Sequence, residues 1–130
     1  MVEFLDLYKC ETCGTIVQVF HRGDGELVCC GHPMKYLQAH TKEDELEEKH
    51  VPVMIDKNKI QVGSMPHPMV PEHHIQFIET ISEDKHNLEI KFLNVTDNPE
   101  MEICSNANPY RIMEYCNIHG LWKNDNICQN

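Results

Sequence analysis

Apolar and polar residues alternate along most of the chain after residue 50, with the two-residue period of β-strands. The apolar positions fall into short runs, and turn signals at 56–59 and 97–99 separate some of these runs. The apolar positions are Val51, Val53, Ile55, Ile60, Val62, Ile75, Phe77, Leu88, Ile90, Phe92, Met101, Ile103, Tyr110 and Ile112. Short strands at this spacing predict an antiparallel sandwich or barrel, and not parallel strands that alternate with helices.

The N-terminal part of the chain departs from this pattern because four cysteines dominate it. Cys10 and Cys13 form a CxxC motif, Cys29 and Cys30 are adjacent, and a Gly-Asp-Gly turn signal at 23–25 between the pairs indicates two short strands. Four thiolates from so short a segment predict a tetrahedral sulfur site for zinc or iron. Because the segment is too short for a large apolar core, the metal would supply much of its folding free energy.

Three later segments, EKHVPV, HPMVPEH and EYCNIHG, together contain four histidines and one cysteine. The candidate ligands in these segments are His50, His67, His73, Cys116 and His119. A structural zinc site prefers a closed tetrahedron made mostly of sulfur, whereas imidazole also suits iron. Five such ligands would leave one open position on an octahedral metal, so the set indicates a redox-active iron.

Two adjacent histidines follow the HPM segment, and the strand period distinguishes them. His73 is predicted to share a face with Ile75 and Phe77, whereas His74 shares a face with Gln76. The inward-facing histidine is the better ligand. The sequence therefore predicts His73 as the ligand and an exposed His74.

Composition narrows the classes of function. The chain has 130 residues, seven cysteines, nine histidines and a formal net charge of −10, which argues against nucleic-acid binding. It contains no apolar run of about 18 residues, so we expect no membrane-spanning helix. The N-terminus, MVEFLDLYKC, lacks the pattern of a secretory signal. We therefore expect a cytoplasmic protein whose thiols bind metals and do not form disulfides.

A charged segment, 37–49, separates the cysteine-rich part from the β-rich part. Within it, Thr41 and Asp44 resemble an N-terminal helix-capping pair. The sequence thus predicts a metal-binding domain at 1–36, a linker with a short helix, and a β-domain at 50–130.

Taken together and in this order, the motifs resemble the desulfoferrodoxin family, and the resemblance covers nearly the whole chain. The three later segments are similar to its superoxide reductase (neelaredoxin) centre. The CxxC motif with an adjacent second pair is similar to its desulforedoxin domain. The resemblance implies a small rubredoxin/desulforedoxin-like domain followed by a seven-stranded, immunoglobulin-like antiparallel β-sandwich. It also favours iron over zinc at the four cysteines.

The resemblance also implies how the second iron would be held. The four histidines would form an equatorial plane, Cys116 would be axial, and the position opposite the sulfur would be left for substrate. Glu48 would occupy that position in the ferric resting state. Lys49 is the cation next to His50 in sequence. We expect it to attract the superoxide anion and to orient a proton-donating water. For both residues the alternative is an ordinary solvated charge of the linker.

The activity that the resemblance implies is one-electron reduction of superoxide to hydrogen peroxide without release of dioxygen. It needs an external electron donor such as rubredoxin, and it implies two iron ions and a homodimer. A superoxide dismutase is one alternative, because the ligands alone do not distinguish it. A non-catalytic iron electron carrier, with the cysteine site as its active part, is the other.

Overall fold

The computed structural model describes residues 2–41, 51–56, 58–62, 68–103 and 109–125. For residues 109 and 110 it describes the backbone alone. The chain divides into two compact units, Met1–Gln38 and Ala39–Asn130. The helix predicted near Thr41 falls on 42–49, which lies outside the described residues. No helix in the described ranges is long and apolar enough to cross a membrane.

The regular structure of the N-terminal unit consists of short antiparallel strands. These are β1 (Leu7–Lys9), β2 (Ile16–Gln18), β3 (Val28–Cys29), β4 (His32–Pro33) and β5 (Lys35–Tyr36). They form a three-stranded sheet in the order β2-β1-β5 and a separate β3–β4 hairpin. A small cluster of buried side chains, Val2, Tyr8 and Val19, forms an apolar core in this unit, and Val17, Leu27 and Met34 pack against it.

The second unit contains seven strands in its described residues. They are β6 (Pro52–Asp56), β7 (Lys59–Val62), β8 (Ile75–Ser82), β9 (Leu88–Phe92), β10 (Glu100–Glu102), β11 (Pro109–Cys116) and β12 (Gly120–Asn124). They form two antiparallel sheets in the orders β10-β7-β6 and β12-β11-β8-β9. Three strands facing four is the arrangement of a constant-type immunoglobulin-like domain.

Both sheets contribute to one buried core, which makes this unit a sandwich. The core residues are Ile60, Val62, Ile75, Ile78, Leu93, Met101, Ile103, Ile112 and Cys116. The predicted fold class, a small cysteine-rich domain and an antiparallel β-sandwich, is confirmed.

The predicted alternation fails in strands β8 and β6 of this sandwich, among other places. Ile75 pairs with Cys116 and Phe77 pairs with Tyr115, so a register shift inserts Gln76 as a β-bulge in β8. Because adjacent residues of β11 point to opposite faces, Ile75 lies in the core and Phe77 lies on the other face, where its ring stacks on Tyr115. The prediction that Ile75 and Phe77 share a face is therefore wrong.

The second exception is the edge strand β6. Here Met54 packs against the core, and Ile55 is exposed. Pro52 pairs with the buried Val62 of β7 and Met54 pairs with the buried Ile60, so the pairing turns Pro52 and Met54 inward. The apolar residues at the odd positions of β6 are Val53 and Ile55, and neither belongs to this core.

Candidate metal centres

The four cysteines of the N-terminal unit converge on one point. The sulfur atoms of Cys10, Cys13, Cys29 and Cys30 all lie within 4.8 Å of one another. The Cys13 and Cys29 sulfurs are 3.6 Å apart, and the Cys29 and Cys30 sulfurs are 4.0 Å apart. Two thiolates on one tetrahedral ion, each about 2.3 Å from it, lie roughly 3.8 Å from each other. The spacing therefore fits a tetrahedral metal ion.

Local backbone geometry explains why an adjacent pair can supply two ligands. Cys29 ends β3, and Cys30 with Gly31 forms the two-residue turn into β4. Both turn residues have positive φ, +54° and +76°, as in a type I′ hairpin turn. The sharp turn lets the two side chains lie near the same point. Cys10 is buried in this cluster, whereas Cys30 is exposed.

The four thiols differ in pKa, mainly because their hydrogen bonds differ. The Thr15 hydroxyl, 3.1 Å from the Cys13 sulfur, is the main cause that lowers the pKa of Cys13 to about 6. The pKa of Cys29 rises to about 12, mainly through its hydrogen bond to Cys13. Likewise the pKa of Cys10 is lowered, mainly by the Cys13 backbone N–H, and that of Cys30 is raised. A metal that binds all four sulfurs as thiolates would release the protons that the less acidic thiols retain.

A second cluster lies in the sandwich at one end of the long β8–β11 pair. The ligand atoms of His73, Cys116 and His119 lie within 4.8 Å of one another. The Cys116 sulfur is 3.9 Å from His119 Nδ1, and the rings of His73 and His119 are 5.0 Å apart between centroids. Two imidazoles and one thiolate at this spacing fit a first-row transition metal such as iron.

The hairpin between β11 and β12 sets the position of two of these donors. Cys116 ends β11 and pairs with Gly120, which leaves a three-residue loop that carries His119. Gly120 has φ +86°, a conformation that L side chains rarely adopt, so glycine suits this end of the loop. Trp122 is buried, and its indole N–H donates to the His119 carbonyl at 3.2 Å. The indole therefore ties the loop to β12.

The Cys116 sulfur lies in an apolar setting with backbone donors. Its side chain is completely buried, and this desolvation raises the pKa of the thiol. The backbone N–H groups of His119, at 3.5 Å, and Ile118 act in the opposite direction because they stabilise a thiolate. A cation bound to the sulfur would complete this stabilisation.

One buried polar residue near the cluster was not predicted as part of it. Glu114 lies on the core face of β11 with Cys116, and its side chain is completely buried. Within the described residues neither of its carboxylate oxygens has a hydrogen-bond partner, and burial raises the pKa of this carboxyl well above its usual value. The two-residue strand period in EYC was the available signal, because it places Glu114 on the Cys116 face.

The structure brings together three of the five ligands predicted for this centre. His50 and His67 lie outside the described residues, as do Glu48 and Lys49. Their roles stay predictions. His74, predicted to be exposed, is partly buried, and its Nδ1 lies 3.2 Å from the Val70 carbonyl oxygen.

Two sequence models of one family match the chain. The model described as "Desulfoferrodoxin, N-terminal domain" matches residues 2–37, and the model described as "Desulfoferrodoxin" matches residues 42–125, more than half of the chain. The chain belongs to the desulfoferrodoxin family. The resemblance found in the motifs is thereby confirmed, and the first match contains all four cysteines of the N-terminal cluster.

Relatives agree with membership of the desulfoferrodoxin family, and a solved structure shares the fold. A desulfoferrodoxin from Syntrophotalea carbinolica is 46% identical over 96% of this chain and 99% of its own length. A shorter relative from Pyrococcus horikoshii, a superoxide reductase, is 34% identical over 60% of this chain and 85% of its own length. The superoxide reductase from Treponema pallidum shares the fold, with a TM-score of 0.71 over 92% of this chain and 97% of its own, at 23% identity.

Proposed function

We propose that this chain is a superoxide reductase, which reduces superoxide to hydrogen peroxide by one electron without releasing dioxygen. The observation that carries the proposal is the cluster of His73, Cys116 and His119 inside the desulfoferrodoxin region of the chain. The Pyrococcus horikoshii relative, a superoxide reductase, is 34% identical to this chain over 60% of its length, which also supports the proposal. In this proposal the second centre is catalytic, and iron is its metal.

Iron bound there would supply the electron and a coordination position for the anion. The protein positions the ligand atoms and stabilises the negative charge of the thiolate. The buried Cys116 supplies a strongly donating thiolate, and the N–H groups of Ile118 and His119 balance its charge. His73 and His119 supply neutral imidazoles from two different segments. Because the sulfur is shielded from water, its donation to a metal is not weakened by solvent hydrogen bonds.

We propose that His50 and His67 complete this donor set, which gives four histidines and Cys116. The family assignment supports both, since its main model covers both positions. In the same proposal Lys49 attracts the anion, and Glu48 ligates the oxidised resting state. We further propose domains at 1–36 and 50–130, with iron rather than zinc at the four cysteines of the first.

The proposal also includes an external donor of the rubredoxin type, a homodimer and a cytoplasmic location. Superoxide reduction consumes one electron in each turnover, so a reductant must restore the metal. The cysteines Cys10, Cys13, Cys29, Cys30 and Cys116 are free thiols in the structure. Thiols that bind metals in this way require a reducing compartment, which supports the cytoplasm.

The stoichiometry of the reaction tests the activity. With excess reductant, we expect hydrogen peroxide to form in an amount equal to the superoxide consumed, with no dioxygen from the enzyme. Both products can be followed, with an oxygen electrode and a peroxide assay, after correction for spontaneous dismutation. Dioxygen equal to half of the superoxide would identify a dismutase instead. No acceleration at all in a protein loaded with iron at both centres would support an electron carrier.

The rate with superoxide tests Lys49. An ammonium group about 6 Å from an anion contributes roughly 0.7–2.8 kcal/mol of attraction at an effective dielectric constant of about 20 to 80. Lys49→Ala is therefore expected to slow the second-order reaction of the reduced centre by roughly 3- to 100-fold. Pulse radiolysis or stopped flow would measure this, and added salt should slow the wild type more than the variant.

The neighbouring residue provides a matched comparison for Lys49. Glu48→Ala should leave the first reaction with superoxide nearly unchanged and alter the visible spectrum of the oxidised resting state. If Lys49→Ala reacts as fast as the wild type at low salt, Lys49 is an ordinary solvated charge of the linker.

A further inference from the structure

Asn117 lies in the loop between β11 and β12 and is hydrogen-bonded to the segment that carries His73. Its Oδ1 accepts the His74 backbone N–H at 2.9 Å, and its Nδ2 donates to the Glu72 carbonyl at 3.1 Å. Its own backbone N–H donates to the His74 carbonyl at 3.1 Å. These three bonds reach the residues immediately before and after His73.

The chemistry of this contact requires a short side-chain amide. One end of the side chain faces an N–H donor and the other faces a carbonyl acceptor, so Asn117 must donate and accept at the same time. Aspartate at this position would keep the acceptor for His74 and lose the donor for Glu72. Alanine would lose both side-chain bonds and keep the backbone bond.

The segment before β8 packs Met69 against the sandwich core, and it also has hydrogen bonds within itself. Val70 and His73 exchange two backbone hydrogen bonds of 3.1 and 3.0 Å, and the Ile75 N–H lies 3.4 Å from the Met69 sulfur. Such contacts shape the segment but do not fix its distance from the loop of Cys116 and His119. The side chain of Asn117 spans from that loop to the segment, at the point where the β8–β11 ladder is shifted by the bulge.

We propose that Asn117 is a positioning residue that holds His73 against the loop bearing Cys116 and His119, and so fixes the geometry of the second metal centre. The inference rests on a metal at this centre, as the proposed function does, but not on the identity of the substrate. Asn117 is partly exposed and lies outside the apolar core, so its replacement should leave the sandwich folded.

Iron(II) affinity, measured anaerobically by competition with a chromophoric chelator, tests the proposal. Partners that orient metal ligands typically contribute 10- to 100-fold to affinity. Asn117→Ala is expected to weaken the second centre by about 10- to 100-fold and Asn117→Asp by less, while the four-cysteine centre of the same molecule keeps its affinity. The matched control is Asn87→Ala, an exposed asparagine in the turn at the other end of β8, which should change neither centre.

A double-mutant cycle separates positioning from general stabilisation. If Asn117 acts through His73, Asn117→Ala should weaken iron(II) binding much less in a His73→Ala background than in the wild type. Amide exchange at His74 should accelerate in Asn117→Ala, while exchange at the core residues of β11 stays unchanged.

Two results would overturn the proposal. One is an Asn117→Ala protein that binds iron(II) at the second centre within about twofold of the wild type. The other is an equal loss in the His73→Ala background, since additivity means independent action. A wild type that binds no iron at the second centre would instead contradict the proposed function, so the two failures are distinguishable.

Discussion

Cys116→Ser should abolish the sulfur-to-iron charge-transfer absorption of the second centre and lower superoxide turnover by at least about 100-fold. Serine replaces a soft, ionisable donor by a hydroxyl that stays protonated and is a weak ligand for iron. The loss should be severe because the Cys116 side chain is completely buried, so no water can easily take the place of the sulfur. Visible spectroscopy of the oxidised protein and stopped-flow kinetics with superoxide would measure the two effects.

A matched control for this substitution is Cys104→Ser, at a cysteine outside the two predicted ligand sets. It is expected to leave both the spectrum and the turnover unchanged. If Cys116→Ser retains the charge-transfer band of the second centre, cysteine 116 is not the sulfur ligand, and Cys104 or Cys128 becomes the candidate.

Cys13→Ser is expected to remove the metal of the first centre and to leave superoxide reduction largely intact. The two clusters share no ligand, and they lie in separate compact units of the chain. The pKa of the Cys13 thiol is lowered to about 6, so its loss removes a donor that ionises readily. Metal analysis should show about one iron per chain in place of about two.

The same variant should lose structure locally. The core of the N-terminal unit consists of a few side chains around Tyr8, which cannot offset the conformational entropy of the segment without a metal. Amide exchange should therefore accelerate in the first unit and remain slow in β8 and β11. A folded Cys13→Ser protein without any superoxide reductase activity would show that the first centre is obligatory for turnover.

The sequence predicted those features that depend on local spacing. The four cysteines lie within one short segment, as a CxxC motif and an adjacent pair. This spacing was sufficient to predict that they share one metal site. Likewise, alternation in 88–92 and at Tyr110 and Ile112 was sufficient to predict strands, and the structure has strands β9 and β11 there. The three ligands Cys116, His119 and His73 were found from motifs, and the structure brings them together.

Features that depend on pairing between distant strands could not be predicted from the sequence. The bulge at Gln76 shifts the register of β8, and the period alone gives no sign of a skipped residue. The inward position of Met54 follows from its pairing with β7 and not from its own neighbours. The bond between Asn117 and His74 joins residues 43 positions apart, so only the tertiary fold reveals it.

The ligands of the two clusters come from different lengths of the chain, so the two clusters become complete at different times during synthesis. The first cluster is complete once Cys30 has been synthesised, and the second requires the chain through His119 and the docking of β11 on β8. At roughly 5 to 20 residues per second, the intervening 89 residues take roughly 4 to 18 s. During that time the nascent chain carries a finished sulfur site and no second centre. We therefore expect the four cysteines to bind a metal ion before the second centre can form, and the folded sandwich to bind its ion later.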